Sequence, residues 1–359
     1  MPRIERADIT LFTYTLDKPM GGSGVSAVDV LCVDLTDSDG ATGMGFSYVI
    51  AGGGGPLKPI AEMLADRFLR GKELAAPQHV WRQIANSFNR TGAGWNLLAL
   101  AAIDVALWDL HAKRRGEPLA VAMGGAVRPA PVYASGPFQP GMAPDAAVDA
   151  ALAALAEGHR GVKPRVAASP ADDAMVAAVA KALPAGYSLM LDANEKGDLV
   201  RAARLIDMAR DHGALFVEEP LPSADLGGYR RLAERNGAMI ATGEHLQGRA
   251  AFEPYVAGGM AAILQPDLAM VGGLTPCLDL ARVAEFHGLG IAPHFLPSLF
   301  VHLAGASPAV TWLESFPLLE PLLDGVPPLA KDGTMAAQAD RPGHGLSLSD
   351  LALSCIKGG

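Results

Sequence analysis

The sequence predicts an α/β protein in which a (β/α) barrel follows an α+β module, and three observations carry that reading. From about residue 130, short apolar or β-branched runs alternate with longer Ala-rich helical stretches, eight times over. Nearly every one of those runs ends in an ionisable residue. The first 125 residues have another texture, with strand patterns first and helical patterns after them.

In the first module "ITLFTYTL", "AVDVLCVDL" and "ATGMGFSYV" read as three strands. The last two are joined at "TDSDG", whose Asp-Gly is a hairpin signal. The clearest helix is "WNLLALAAIDVALWDLHAKRRG", with apolar residues at helical spacing, basic residues in its last turn and Gly116 as its stop. Two glycine-rich loops, "PMGGSG" and "AGGGGP", read as mobile. Neither has the strand-to-helix context or the Lys-Ser/Thr pair of a phosphate-binding loop.

The eight later runs are "PVYAS", "GVKPRV", "YSLMLDAN", "ALFVEEP", "AMIATGEH", "AAILQPD", "LGIAPH" and "VTWLES". Helical patterns between them imply parallel βαβ units, and eight such strands imply closure. The expected division is an α+β domain over 1–125, a barrel over 126–324 and a terminal segment over 325–359 that folds back on the first module.

Bulk properties narrow the function. Half of the 359 residues are hydrophobic, enough for a sizeable core. A formal charge of −9 argues against nucleic acid and anionic membranes as partners. Cys32, Cys277 and Cys355 are widely spaced, which suggests neither a disulfide framework nor a zinc cluster. The first ten residues have no apolar core of a secretion signal, and no apolar run reaches membrane-spanning length. A soluble, cytoplasmic protein is expected.

In order, the strand-end residues are Lys163 and Arg165, Asp192, Glu218, Glu244, Asp267, His294 and Glu314. Asp192 to Glu218 is 26 residues and Glu218 to Glu244 is 26 again, followed by steps of 23, 27 and 20. One βα unit per step carries each side chain to the same barrel rim, where barrels place their chemistry. Strand ends emerging into solvent would explain one or two of these positions, not the whole series. Three carboxylates on consecutive strands, with no cysteine or histidine among them, make a hard oxygen site suited to Mg²⁺, with Mn²⁺ as a substitute. Of Glu218 and Glu219, only one can point inward from the strand. In "GVKPRV", alternation at period two puts Lys163 and Arg165 on one face.

"LDAN", "VEEP", "TGEH", "QPDLAMVGG", "IAPH" and "WLES", taken in order, resemble the enolase superfamily, specifically its mandelate racemase subgroup. The helix "AAIDVALWDLHAKRRGEPL" resembles that superfamily's junction between capping domain and barrel. The resemblance covers almost the whole chain. It implies an α+β capping domain over a modified (β/α)₇β TIM-type barrel, one Mg²⁺ on Asp192, Glu218 and Glu244, and abstraction of a proton α to a carboxylate. It also implies Asn194 as a contact to the substrate's α-hydroxyl, and a homo-oligomer by analogy.

Chemistry supports these roles. Removing a proton α to a carboxylate creates a dianionic enediolate, which a chelated metal and a nearby Lys163 would neutralise. His294, with an unperturbed pKa of about 6.5, suits a general base. Asp267 would hold its other ring nitrogen. Glu314 would donate a hydrogen bond to the substrate if its pKa is raised, and otherwise serve as an ion-pair partner. The family's usual second base is a lysine two residues after the first, and here that position is Arg165, which stays protonated. One base, His294, with Lys163 and Arg165 as electrostatic clamps, the fork of Arg165 gripping a substrate hydroxyl or carboxylate oxygen, favours a dehydratase of a hydroxy acid or acid sugar that releases a 2-keto-3-deoxy acid. Racemisation or epimerisation of a 2-hydroxy acid is the alternative, and a non-catalytic metal-binding barrel the second.

Overall fold

The computed structural model describes residues 2–21, 24–236 and 239–358. The amino-terminal sheet runs β1 (Ile4–Met20), β2 (Val25–Asp37) and β3 (Thr42–Ile50), antiparallel in that order. Helices α1 (Leu57–Phe68), α2 (Pro77–Asn86), α3 (Gly94–Arg115) and the short α4 (Leu119–Ala122) follow. Buried without a break from Leu97 to Leu110, α3 stops at Gly116, whose φ of 65° suits the left-handed cap. It lies so close to β3 that a Cβ at Gly45 would sit 2.1 Å from the Ala102 carbonyl oxygen. The second glycine-rich loop is tied down, because the Gly54 N–H donates to Asp29 at 2.7 Å and Thr13 donates to the other oxygen of that carboxylate.

Eight parallel staves form the barrel. They are β4 (Ala130–Ala134), β5 (Gly161–Val162), β6 (Ser188–Leu189) continued as β7 (Leu191–Asp192), β8 (Val217–Glu218), β9 (Ile240–Thr242), β10 (Ile263–Leu264), β11 (Gly290–Ile291) and β12 (Leu313–Ser315). Each pairs with the next. Closure comes from Ile291 bridging Val310 and from β12 pairing with β4. The helices between staves are α5 (Pro144–Ala156), α6 (Asp172–Ala182), α7 (Leu199–Asp211), α8 (Leu226–Asn236), α9 (Glu253–Ala257), α10 (Leu268–Val271) with α11 (Leu274–His287), and α12 (Pro297–Ala306). No α-helix follows β12 before the tail, so the barrel is (β/α)₇β, as the resemblance implied. Tyr133, Met190, Phe216, Ala241 and Ala292 fill its interior, which makes it a packed core and not a pore.

Beyond the barrel come β13 (Leu323–Asp324), β14 (Thr334–Met335), β15 (Ser347–Leu348) and α13 (Asp350–Gly358). Strand β14 pairs antiparallel with β4, β13 pairs with β15, and α13 packs on β1. His344 is the deepest link back to the first module. Its N–H donates to Asp109 at 3.0 Å and its Nε2 lies 2.7 Å from the Met44 carbonyl oxygen. No described helix is long and apolar enough to cross a membrane.

Candidate active site at the carboxyl ends of the staves

Every stave but β4 delivers an ionisable side chain at or just past its carboxyl end, and β5 shows why. Proline at 164 lacks an N–H, so regular pairing stops after Val162 and resumes as a single bridge between Arg165 and Asp192. The kept alternation brings Lys163 and Arg165 to one side. Lys163 Nζ lies 2.5 Å from Glu218, 2.8 Å from Glu314 and 3.9 Å from Asp192. Arg165 donates to Asp192 at 2.6 Å and to the Asn194 side chain at 2.8 Å, its guanidinium carbon 5.6 Å from the Phe316 ring centre. Burial opposes the charge on Lys163, but Glu218 and Glu314 outweigh it and hold its pKa well above the usual lysine value.

Asp267 works in two directions. One oxygen accepts the Ala269 and Met270 N–H groups, capping α10, and the other accepts from Tyr48 at 2.7 Å and lies 2.9 Å from His294 Nδ1. His294 Nε2 is 3.2 Å from Glu244. Burial disfavours the imidazolium, yet Glu244 and the bond to Asp267 prevail and push its pKa up to about 10. Glu314 goes the other way. Burial would raise its pKa, but Lys163 and His294 hold it down to about 2, so it stands as an ion-paired carboxylate and the condition for a proton donor is not met.

The donor set fits a divalent cation. Asp192, Glu218, Glu244, Asp267 and Glu314 face Lys163, Arg165 and His294, so five carboxylates meet three cations and two negative charges are in excess. Burial, and then Asp192 and Glu244 against the opposing effect of Lys163, raise the pKa of Glu218. Its Oε1 is buried with no hydrogen-bond partner. A dication cancels that excess and satisfies that oxygen. Glu195, Glu219 and His245 also bring ligand-type atoms within 4.8 Å of one another. There the groups already have partners, because Glu219 at 2.7 Å raises the pKa of His245 to about 9 and Glu195 accepts the Ser223 N–H. Glu219 thus turns aside from its neighbour Glu218, with a φ of 40°.

All nine side chains singled out from the sequence gather here. The residues missed are Tyr48, from β3, and Gln265, whose side-chain amide donates to Glu218 at 2.5 Å. Gln265 stands just past β10 and two residues before Asp267, so the spacing that joined Lys163 to Arg165 would have found it. Tyr48 carries no such signal.

Residues 14–124 match the mandelate racemase/muconate lactonizing enzyme N-terminal domain, and residues 146–352 match the enolase C-terminal domain-like family. An L-talarate/galactarate dehydratase of Salmonella typhimurium is 32% identical over 98% of this chain and 90% of its own. A 3,6-anhydro-alpha-L-galactonate cycloisomerase of Streptomyces coelicolor is 30% identical over 96% of this chain and 97% of its own. The crystal structure of an L-talarate dehydratase from Polaromonas sp. JS666, complexed with Mg and L-glucarate, superposes with a TM-score of 0.90 at 33% identity, covering 99% of this chain and 97% of that one. With both domain families matched in order and the barrel rim built as described, the chain belongs to the mandelate racemase/muconate lactonizing enzyme family of the enolase superfamily.

Proposed function

We propose that the protein is a Mg²⁺-dependent hydro-lyase that removes water from a 2,3-dihydroxy acid to give a 2-keto-3-deoxy acid. Mg²⁺ is the cofactor characteristic of this superfamily, and Asp192, Glu218 and Glu244 are the residues proposed to hold it. The two curated relatives carry different reaction names at nearly equal identity, so identity does not choose the reaction. The observation that carries the reading is an asymmetry of bases. His294 has an orienting carboxylate on Nδ1 and turns Nε2 toward the carboxylate cluster, whereas the position two residues beyond Lys163 is a guanidinium engaged by Asp192 and Asn194.

A divalent cation on the three carboxylates supplies Lewis-acid stabilisation of the substrate carboxylate and offsets the negative charge that keeps His294 protonated. The protein's own groups do the rest. Lys163 stays cationic and faces the charge that develops on the substrate carboxylate. His294 Nε2 takes the α-proton, and the C–H electron pair becomes the enediolate double bond. That pair then expels the β-hydroxyl, which leaves as water with the proton His294 returns, and the enol tautomerises to the ketone. Asp267 accepts from Nδ1 throughout and fixes the ring. Arg165 orients Asp192 and Asn194 and moves no proton.

The test is incubation with Mg²⁺ and a panel of 2,3-dihydroxy acids, read as semicarbazones of 2-keto acids. His294→Asn is expected to lose both keto-acid release and exchange of the α-proton with deuterated solvent. Exchange continuing at the wild-type rate in that variant would place the base elsewhere.

A further inference from the structure

The cavity over the carboxylate cluster measures about 390 Å³, near the small end of the range for small-molecule sites. Its walls differ in chemistry. The barrel wall carries the charged groups described above. The apolar lining, from the first module and the segments after β10 and β12, comes from Val25, Val49, Ile50, Leu98, Met270 and Phe316, the last against the Arg165 guanidinium. Tyr48 is the polar side chain that the first module adds among the described lining residues, and its hydroxyl is already given to Asp267. The cationic side chains that line the cavity are committed too. Lys163 is on Glu218 and Glu314, Arg165 on Asp192 and Asn194, His245 on Glu219, and His294 on Asp267 and Glu244.

We infer, building on the reaction proposed above, that the substrate is a monoacid whose far end is an uncharged alkyl or aryl group packed on this apolar wall. None of those six side chains is charged, so a second carboxylate among them would be drawn out of water with no cation there to meet it. A run of hydroxyls would lose water partners and gain no side-chain replacement. An alkyl or aryl end leaves water for contact with six apolar side chains. The inference therefore separates this site from a reading based on the diacid named for the Salmonella relative.

The experiment measures binding to the Mg²⁺-loaded wild-type protein by calorimetry, with two 2-hydroxy acids of matched shape that lack the β-hydroxyl. One is malate; the other is 2-hydroxy-4-methylpentanoate, in which an isopropyl group replaces the second carboxylate. The branched acid is expected to bind about tenfold more tightly, the change for roughly two methylene groups taken out of water. Malate binding as tightly or more tightly overturns the inference, as does failure of the branched acid to bind. Ile50→Lys adds a cation to the wall and is expected to reverse the order. A folded variant with the order unchanged counts against the assignment of that wall. Keto-acid release is scored separately on the dihydroxy panel. Diacid preference with keto acid formed removes this inference alone, and alkyl preference with no keto acid formed removes only the dehydratase.

Discussion

At the scale of single residues, the proposed chemistry turns on Arg165. Its guanidinium sits where a second base would have to stand, bonded to Asp192 and Asn194 and held against Phe316. With no lone pair to offer at neutral pH, it leaves the proposed reaction with a single proton acceptor, His294. In D₂O the wild-type enzyme is therefore expected to put deuterium into one α-epimer of its substrate only. Arg165→Lys is expected to open exchange into the other epimer, and comparable rates in both epimers of the wild type would mean two bases and a racemase. Alanine at Asp192, Glu218 or Glu244 should weaken Mg²⁺ binding, read by calorimetry, by about 10-fold or more while circular dichroism stays native. Much of this was legible beforehand, because a βα unit repeats every 20 to 27 residues and brings one ionisable group per turn to the same rim. Glu314 was legible only in position. Its charge state depends on Lys163 at 2.8 Å, a contact between strands that no local pattern encodes.

The β3–α3 contact sets the catalytic geometry at the scale of elements. Gly43 and Gly45 let the strand lie on the backbone of α3, and three residues further along the strand Tyr48 reaches Asp267. From the other side, Asp104 on α3 accepts from the Thr275 N–H and hydroxyl, and Trp108 donates to that hydroxyl, fixing the start of α11. The segment from Asp267 to Thr275 is thus clamped between the two modules. Gly45→Ala forces a methyl into the Ala102 carbonyl and should cost about 3 kcal/mol, seen as a lower Tm. Tyr48 should move with the strand, so α-proton exchange in the folded fraction is expected to fall by about 10-fold to 100-fold. The helix itself was plain from its 3.6-residue pattern and Gly116. The roles of its polar residues were not, since Asp104 and Trp108 look like ordinary interruptions of an apolar face until Thr275, 171 residues from Asp104, arrives beside them.

At the scale of the whole molecule, the two ends of the chain meet through buried histidines. His302 Nδ1 accepts the Ala120 N–H and His344 Nδ1 accepts the Leu346 N–H, so neither nitrogen is free to hold a proton. Burial lowers both pKa values, that of His302 to about 4. The unfolded chain takes up a proton near pH 6.5 while the folded one refuses it until about pH 4, so stability is full above the first value and declines as pH falls through this interval. His302 alone accounts for about 3 kcal/mol over that window. Urea unfolding at pH 7 and pH 5 should show the loss, and His302→Gln should reduce the slope between them. The barrel was readable from its rhythm and the tail only as something that returns, because its partners, the Met44 carbonyl and the Asp109 carboxylate, lie more than 200 residues away with no local pattern to announce them.

The bond between His344 and the Met44 carbonyl joins residues 300 apart in the chain. A ribosome adding roughly 5–20 residues per second needs about 15–60 s to travel from one to the other. Until then the Met44 carbonyl and one oxygen of Asp109 lack the partners that the tail supplies. Stave β4 likewise waits for β12 before the barrel can close. Until β12 has been made, the pairing edge of β4 stays open, an unpaired strand edge of the kind that favours misassembly.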